Sequence, residues 1–401
     1  MMNKRVLTTA VAATTLAIGS MAYAEVKIGF LGGFTGGIET LTPPIFDGAE
    51  LAITHVNAQG GLLDGQDIVM PTGDTTCGDA SAASNAADRM VNTEQVTAIV
   101  GALCTGATVA AANNVAIPAG VTMVSPASTA PAVTTLDDND LVFRTVPSDA
   151  YQGEVLAKLL LEKGIDEVAV TYVNNDYGRG LAGAFKEGFE AGGGSVLENL
   201  AHEDNRADYR SELGVLSATG APVLVVLAYA DTSGQTVLRQ AYESGTFTQY
   251  VGGDGMVGDS LVDALGADVL EGMIATRPGS PELPGTELFR ELADEAEIDP
   301  SAVFAAQAYD AAFLLALAIE KNGSADREGV SAALREVASP PGEVILPGEW
   351  EKAKQLIADG QDINYEGAGG TQDFDESGDV PGVVQEMAVE DGAFTAKGIV
   401  E

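Results

Sequence analysis

Basic residues, histidine and cysteine are scarce in this chain. Twenty Lys and Arg stand against 59 Asp and Glu in 401 residues, with two His, two Cys and one Trp. Each scarcity removes a class of function. A formal charge of −39 argues against nucleic acid and anionic membrane surfaces as partners. The acidic residues are spread along the chain, as on a solvated exterior, and their field reaches only about 8 Å at physiological salt. His55 and His202 are too few for a His/Cys zinc set, which normally needs four ligands, so no metal or other cofactor is expected. A secreted hydrolase is the enzyme-class rival. The chain shows no G-x-S-x-G elbow, no H-E-x-x-H and no S-x-x-K in a fitting context. Beyond residue 24 no run is apolar enough to cross a bilayer.

What is present begins at the N-terminus. Lys4 and Arg5 precede an apolar run from Val6 to Ala22, closed by Ala22-Tyr23-Ala24. That order reads as a cleaved secretory signal over residues 1–24. A membrane anchor is the alternative, but Thr and Ser interrupt the run and it is short for a span. Removing 24 residues leaves 377 and, because Lys4 and Arg5 go with them, lowers the charge from −39 to −41. A chain of that length predicts two domains. In an exported chain two cysteines pair. Cys77 and Cys104 enclose 26 residues, a loop whose closure contributes roughly 3–4 kcal/mol in the chain-entropy account. A catalytic Cys104 would need a histidine beside it.

Short apolar runs alternate with helical periodicity. Strands are expected at 26–34, 66–70, 96–102 and 121–125, with helices at 45–57, 81–91 and 105–117 between them. The order restarts with helices at 151–163, 177–191, 209–218 and 233–244 and strands at 167–173, 195–200, 222–228 and 249–252. This is α/β with parallel-type sheets covered on both faces, in two Rossmann-like lobes. Helices follow at 287–296, 302–321, 327–337 and 350–358, the second with Phe304, Ala308, Ala312, Leu315 and Ile319 on one face. Linker-like stretches at 145–149, 276–279 and 370–375 predict three crossings. The lobes are then 25–146 plus 279–371 and 147–278 plus 372–401.

In open α/β sheets, ligands sit beyond the carboxyl ends of the strands. Three such ends carry unusual polar sets. Thr105 opens a helix after strand 96–102, as an ordinary N-cap or as a carboxylate donor beside the free N–H groups. Ser125-Pro-Ala-Ser-Thr-Ala-Pro131 is held out of a helix by its prolines and presents hydroxyls and carbonyls, as a plain loop or a binding loop. Asp254 lies between glycines, as turn chemistry or as the counter-charge of a cation. Asp373-Phe-Asp-Glu-Ser-Gly-Asp379 has alternate carboxylates but lacks a full calcium loop, so it reads as a linker turn, with a calcium-binding structural protein as the rival.

Together these pieces resemble the periplasmic leucine/isoleucine/valine-binding proteins, type I solute-binding proteins of ABC importers. The resemblance spans nearly all of the chain after residue 24. It includes Asp47-Gly-Ala-Glu50, Asn57-Ala-Gln-Gly-Gly61, the two cysteines, the 125–131 loop, Asn175-Asp-Tyr-Gly-Arg-Gly180, Leu238-Arg-Gln-Ala241 and Asp373-Phe-Asp375. It implies the type I periplasmic binding fold with a three-segment hinge. It also implies a monomeric, non-catalytic periplasmic protein that captures an amino acid with an apolar side chain and hands it to an inner-membrane permease. By the same resemblance the ligand carboxylate meets Thr105, and the ammonium meets the Ala127 carbonyl and the Thr129 hydroxyl, with Ser128 beside them. Thr129 is also placed to donate to the carboxylate. Asp254 takes the position of an acidic partner that is usually Glu, and Tyr177 and Tyr229 cover the ligand. Leu41, in a proline-containing loop, stands where the family has an aromatic. Phe304 matches a pocket aromatic or packs in the core. A small amide or an aromatic or organic carboxylate is the alternative ligand.

Overall fold

The computed structural model describes residues 25–400; the expected signal at 1–24 lies outside them. Its first sheet consists of β1 (Val26–Gly32), β2 (Ile68–Val69), β3 (Thr72–Asp74), β4 (Ala98–Gly101), β5 (Thr122–Ser125) and β6 (Val142–Arg144). The spatial order is β2-β1-β4-β5-β6, with β3 also on β1, and every pairing is parallel. β4 and β5 are buried at every position, which is why they read as unbroken apolar runs. The chain goes from β1 to one side and returns to β4 on the other, so the crevice between β1 and β4 is the switch point where such sheets take ligands.

The second sheet repeats the plan. β7 (Glu167–Val173), β8 (Ser195–His202), β9 (Val223–Leu227), β10 (Gln249–Gly252) and β11 (Ile274–Gly279) run parallel in the order β11-β10-β9-β7-β8. A small parallel pair, β12 (Glu343–Ile345) with β13 (Ile363–Tyr365), lies apart. β14 (Val383–Glu390) and β15 (Ala393–Val400) then extend the second sheet antiparallel from β11. The 276–279 stretch expected as a linker is thus the end of β11, held by β14, and the chain leaves the sheet only after Gly279. The β14–β15 hairpin had a sequence signal: Asp391-Gly392, both at positive φ, the pair a tight hairpin turn prefers.

Helix Ala305–Asn322 is buried on almost every side and packs against helix Thr42–Ala58, β4 and β5. Close approach of these helices requires Gly48, where a Cβ would meet the Ala305 carbonyl at 2.3 Å. The segment after Pro347 docks on the same helix. Trp350 donates its indole N–H to the Gly61 carbonyl at 3.2 Å and stands edge-on to Phe313. Asp310, fully buried, accepts from Tyr365 Oη and from the N–H groups of Ala368 and Gly369, at 2.7–2.8 Å. Among the described residues no helix is long and apolar enough to cross a membrane.

Candidate functional site

The carboxyl ends of both sheets face each other across one narrow cavity with about 20 Å³ of free space. From the first sheet's side come Ile38, Leu41 and Ile45 after β1, Leu103, Cys104 and Thr105 after β4, and Ala127 after β5. The second sheet contributes Tyr177 after β7, Tyr229 after β9, and Asp254 and Gly255 after β10. Phe304 adds an aromatic wall. A larger open groove, about 870 Å³, runs along helices Asp149–Glu162 and Asp176–Ala191. Its polar residues Glu154, Lys158, Glu162 and Glu187 lie on the exposed outer faces of those helices, and it takes no residue from a strand's carboxyl end, so the cavity between the sheets is the candidate site.

Two local features build the first-lobe wall. Gly101 ends β4 at φ +109, where a side chain would press on the Leu31 carbonyl at 2.4 Å; only glycine lets the chain turn there. The disulfide Cys77–Cys104, Cα atoms 5.3 Å apart, then ties the start of the next helix to the β3 loop. That helix, Thr105–Ala111, has Cys104 and not Thr105 as its N-cap residue. The buried Thr105 hydroxyl is therefore not spent on its own helix; it accepts the Ala130 N–H at 3.4 Å. Replacing both cysteines by serine is expected to cost about 3 kcal/mol of unfolding free energy, read by denaturant titration.

The 125–131 loop is pinned from behind. The hydroxyls of Thr108, Ser125 and Ser128 all donate to the Ala102 carbonyl, at 3.0, 2.6 and 3.2 Å. Arg144, the last residue of β6 and fully buried, reaches the carbonyls of Ser128, Thr129 and Ala130 through Nη1 at 3.3, 2.6 and 3.1 Å. Its other nitrogens grip Asp379 at 2.7 and 2.5 Å. Ser128 and Thr129 accordingly sit behind the cavity wall, outside the set that lines it. The Thr129 hydroxyl donates to Asp149 Oδ2 at 3.0 Å. Its proton is committed there, so it can offer a ligand lone pairs and not a donor, contrary to the expected second role toward a carboxylate. The 373–379 segment is a turn: Asp375 Oδ1 accepts the N–H groups of Ser377 and Asp379.

On the other wall, Asp254 starts a short turn at the end of β10 and is buried. Its Oδ1 accepts from Gln152 Nε2 at 3.0 Å and Tyr177 Oη at 3.1 Å, and Tyr177 Oη in turn accepts the Gly255 N–H. Gly255 cannot be larger, because a Cβ would lie 2.6 Å from the Ala228 carbonyl. Burial pushes the Asp254 carboxyl up to about 6, against the lowering effect of the two side-chain bonds. Asn175 caps the Asp176–Ala191 helix through the Gly178 N–H, which sets Tyr177 in the first turn. The Tyr177 and Tyr229 rings stack with centroids 5.2 Å apart.

Phe304 does not lie on the helix face where periodicity placed it. The helix starts at Ala305, and Phe304 precedes it at φ +64, a conformation costly for an aromatic residue that turns its ring to the cavity. Leu41 likewise precedes helix Thr42–Ala58, which accommodates Pro43 and Pro44 in its first turn. Sequence reasoning missed Ile38, Ile45, Leu103 and Gly255 on the wall, and Arg144, Asp149 and Gln152 behind it. Arg144 alone had a signal, a lone cation ending an apolar run. The two lobes also touch at the rim, where Thr40 donates its N–H and hydroxyl to Asp231, at 2.9 and 2.8 Å.

Known proteins are similar to this chain in sequence and fold. Residues 25–359 match the family described as periplasmic binding protein. The leucine-, isoleucine-, valine-, threonine-, and alanine-binding protein of Pseudomonas aeruginosa is 33% identical over 320 residues, covering 79% of this chain and 83% of its own. The Leu/Ile/Val-binding protein of Escherichia coli K12 is 29% identical over 344 residues, 85% of this chain and 91% of its own. A crystal structure of a leucine binding protein from Thermotoga maritima superposes with a TM-score of 0.80 at 26% identity, covering 94% of this chain and 99% of that one. The chain belongs to the periplasmic binding proteins of the leucine/isoleucine/valine-binding type.

Proposed function

We propose that this protein is the solute-binding component of an ABC importer, capturing an amino acid with an apolar side chain and presenting it to a membrane permease. One observation carries the reading: Asp254 and two stacked tyrosines of one lobe face Thr105 and Ala127 of the other across a single narrow cavity. A zwitterion fits that polarity. Its ammonium meets Asp254, and its carboxylate meets the Thr105 hydroxyl and the N–H groups opening the Thr105–Ala111 helix. Ile38, Leu41, Ile45, Leu103 and Phe304 leave only apolar surface for the side chain. The Ala127 carbonyl faces the ammonium, with the Thr129 hydroxyl behind the wall.

The ligand gains both sets of contacts only with the lobes together, so it shifts the open–closed equilibrium by differential affinity. The chain crosses between the lobes after residue 146, after Gly279 where β11 ends, and in the 372–382 stretch before β14. The reading is one of binding without turnover. The protein acts as a monomer in the periplasm, with 1–24 removed on export.

A thermal-shift screen of the amino acids, small amides and aromatic carboxylates tests the reading. Leucine, isoleucine and valine are expected to raise the melting temperature, with about 2.7 kcal/mol of added stability at a hundredfold excess over Kd. A screen in which no amino acid shifts the melting curve overturns it. A small amide is the second reading, favoured by the neutral donors around Asp254 and its raised pKa. At the rim, Thr40→Val removes the hydroxyl bonds to Asp231 and leaves the backbone N–H bond in place. This exposed contact is worth about 1 kcal/mol, so a fivefold rise in leucine Kd by calorimetry is expected.

A further inference from the structure

Phe304 is also a wall of a second pocket, with about 290 Å³ of free space. The lining of this pocket holds two guanidiniums, Arg277 and Arg290, and no carboxylate. In a chain with 59 acidic residues against 20 basic ones, that balance is inverted. The walls come from both halves of the molecule. Arg277 on β11 and Gln385 on β14 belong to the second sheet, whereas Arg290 lies on helix Pro284–Glu295, after the crossing that follows Gly279. We propose that this pocket binds a small oxyanion, either inorganic or an organic carboxylate, gripped by Arg277 of one lobe and Arg290 of the other, and that the bound anion stabilises the closed arrangement of the lobes.

The partners of Arg277 carry the proposal. The side chain is mostly buried, yet among the described residues it forms no ion pair. Its Nε and Nη2 donate to Gln385 Oε1 at 3.1 and 3.0 Å, and its Nη1 donates to the Ser301 carbonyl at 3.0 Å. A guanidinium has five N–H groups, so two are left over. A charge drawn out of water among neutral acceptors is costly unless a counter-charge joins it. Asp299 lies near enough to act on Arg277, but its Oδ1 accepts from Ser301, and it lines a neighbouring groove of about 360 Å³. That groove has Asp259 and Asp299 beside Arg277 as its one cation, so it does not suit an anion.

Arg290 stands at the mouth of the pocket. It is paired with Glu282 at 3.0–3.1 Å, and both side chains are exposed. An exposed pair of that kind is weak and leaves three N–H groups of Arg290 for another acceptor. Glu287, in the first turn of the same helix, is exposed and outside the lining. Thr286, in that turn, is buried in the wall, and its hydroxyl has no hydrogen-bond partner. The first-turn N–H groups and the helix dipole favour negative charge there as well. Guanidinium forks match the spacing of oxyanion oxygens. Pro278, Gly279 and Ser280 also line the pocket, so it changes shape when the lobes move about this crossing. An anion held by both arginines therefore favours closure, and by linkage the anion and the amino acid raise each other's affinity by the same factor. The coupling rests on the reading of the ligand as an amino acid; the anion site does not.

Isothermal titration calorimetry of the mature chain with potassium sulfate, at constant ionic strength, tests the site. A saturable heat is expected, and leucine titrated at saturating sulfate should bind about fivefold more tightly than without it. Phosphate and succinate titrated in the same way distinguish an inorganic from an organic occupant. Arg277→Gln should abolish both the sulfate heat and its effect on leucine. Should that variant not fold, Arg290→Gln at the exposed mouth takes its place, with sulfate binding weakened about tenfold. No saturable heat with any of the three anions overturns the inference. A sulfate effect that survives the substitutions overturns it too, since it then reflects general screening of an acidic surface. Sulfate binding that leaves the leucine affinity unchanged overturns the bridging role. Sulfate binding in a protein that binds no amino acid overturns the amino-acid reading and leaves the anion site standing.

Discussion

Asp254→Asn is expected to remove leucine binding by a factor of a hundred to a few thousand. The asparagine keeps the shape and can still accept from Gln152 and Tyr177, so only the charge is lost. An ammonium drawn from water into this cavity then has no carboxylate among the residues that line it. Breaking a buried pair by removing one member costs about 3–5 kcal/mol. Calorimetric titration reads the loss. The same substitution has an opposite effect on the empty protein. Asp254 titrates at about 6 in the folded state against 3.8 as a free side chain. A raised folded pKa means the folded state holds its proton longer, so stability falls as pH rises from about 4 to about 6 and stays lower above that. Asn carries no such penalty. Without ligand at pH 7, Asp254→Asn should therefore be the more stable protein, by on the order of 1–3 kcal/mol, and at pH 4 the difference should shrink. Lost binding with unchanged or higher melting temperature separates a functional carboxylate from a structural one; a variant that binds leucine as before removes Asp254 from the site.

The parts of this molecule legible beforehand are those in which one physical rule acts alone. β4 and β9 read as strands because both of their faces are buried, leaving no polar position to blur the run. The loops after them read as candidate sites because parallel strands put their carboxyl ends on one edge. The β14–β15 hairpin was obscure for the converse reason: as an edge it carries Glu386, Glu390 and Lys397 among its apolar residues, and the alternation is diluted. Phe304 obeys the period of the helix that follows it, and only tertiary contact forces its backbone to φ +64. Asp149 and Gln152 were invisible as site residues because, in sequence, they are an acidic helix start and a polar turn-mate. Gln152 takes its meaning from Asp254, about a hundred residues later, and Asp149 from Thr129, which no local pattern reports.

Arg144→Met is expected to be the most destabilising single change in the first lobe, at about 3–5 kcal/mol. Arg144 and Asp379 form a forked pair in which the guanidinium is wholly buried and the carboxylate nearly so. Deleting the cation strands that carboxylate, and with it the three carbonyls of residues 128–130 that Nη1 gathers. Each lost partner leaves a desolvated acceptor, which is costlier than never having buried it. Arg144→Lys keeps a charge but cannot fork to two carboxylate oxygens and also reach the loop, so it should fall between the two. Removing both partners, Arg144→Met with Asp379→Leu, should recover part of the loss, because the penalty lies in the unpaired member. Denaturant titration of the three variants orders them. The affinity for leucine supplies the discriminating measurement: stability should return in the double variant, whereas binding should not. The carbonyls of residues 128–130 would still lack the group that aims their loop at the cavity. Full recovery of binding would mean that the loop holds its shape without Arg144, and that the hydroxyls converging on Ala102 are enough.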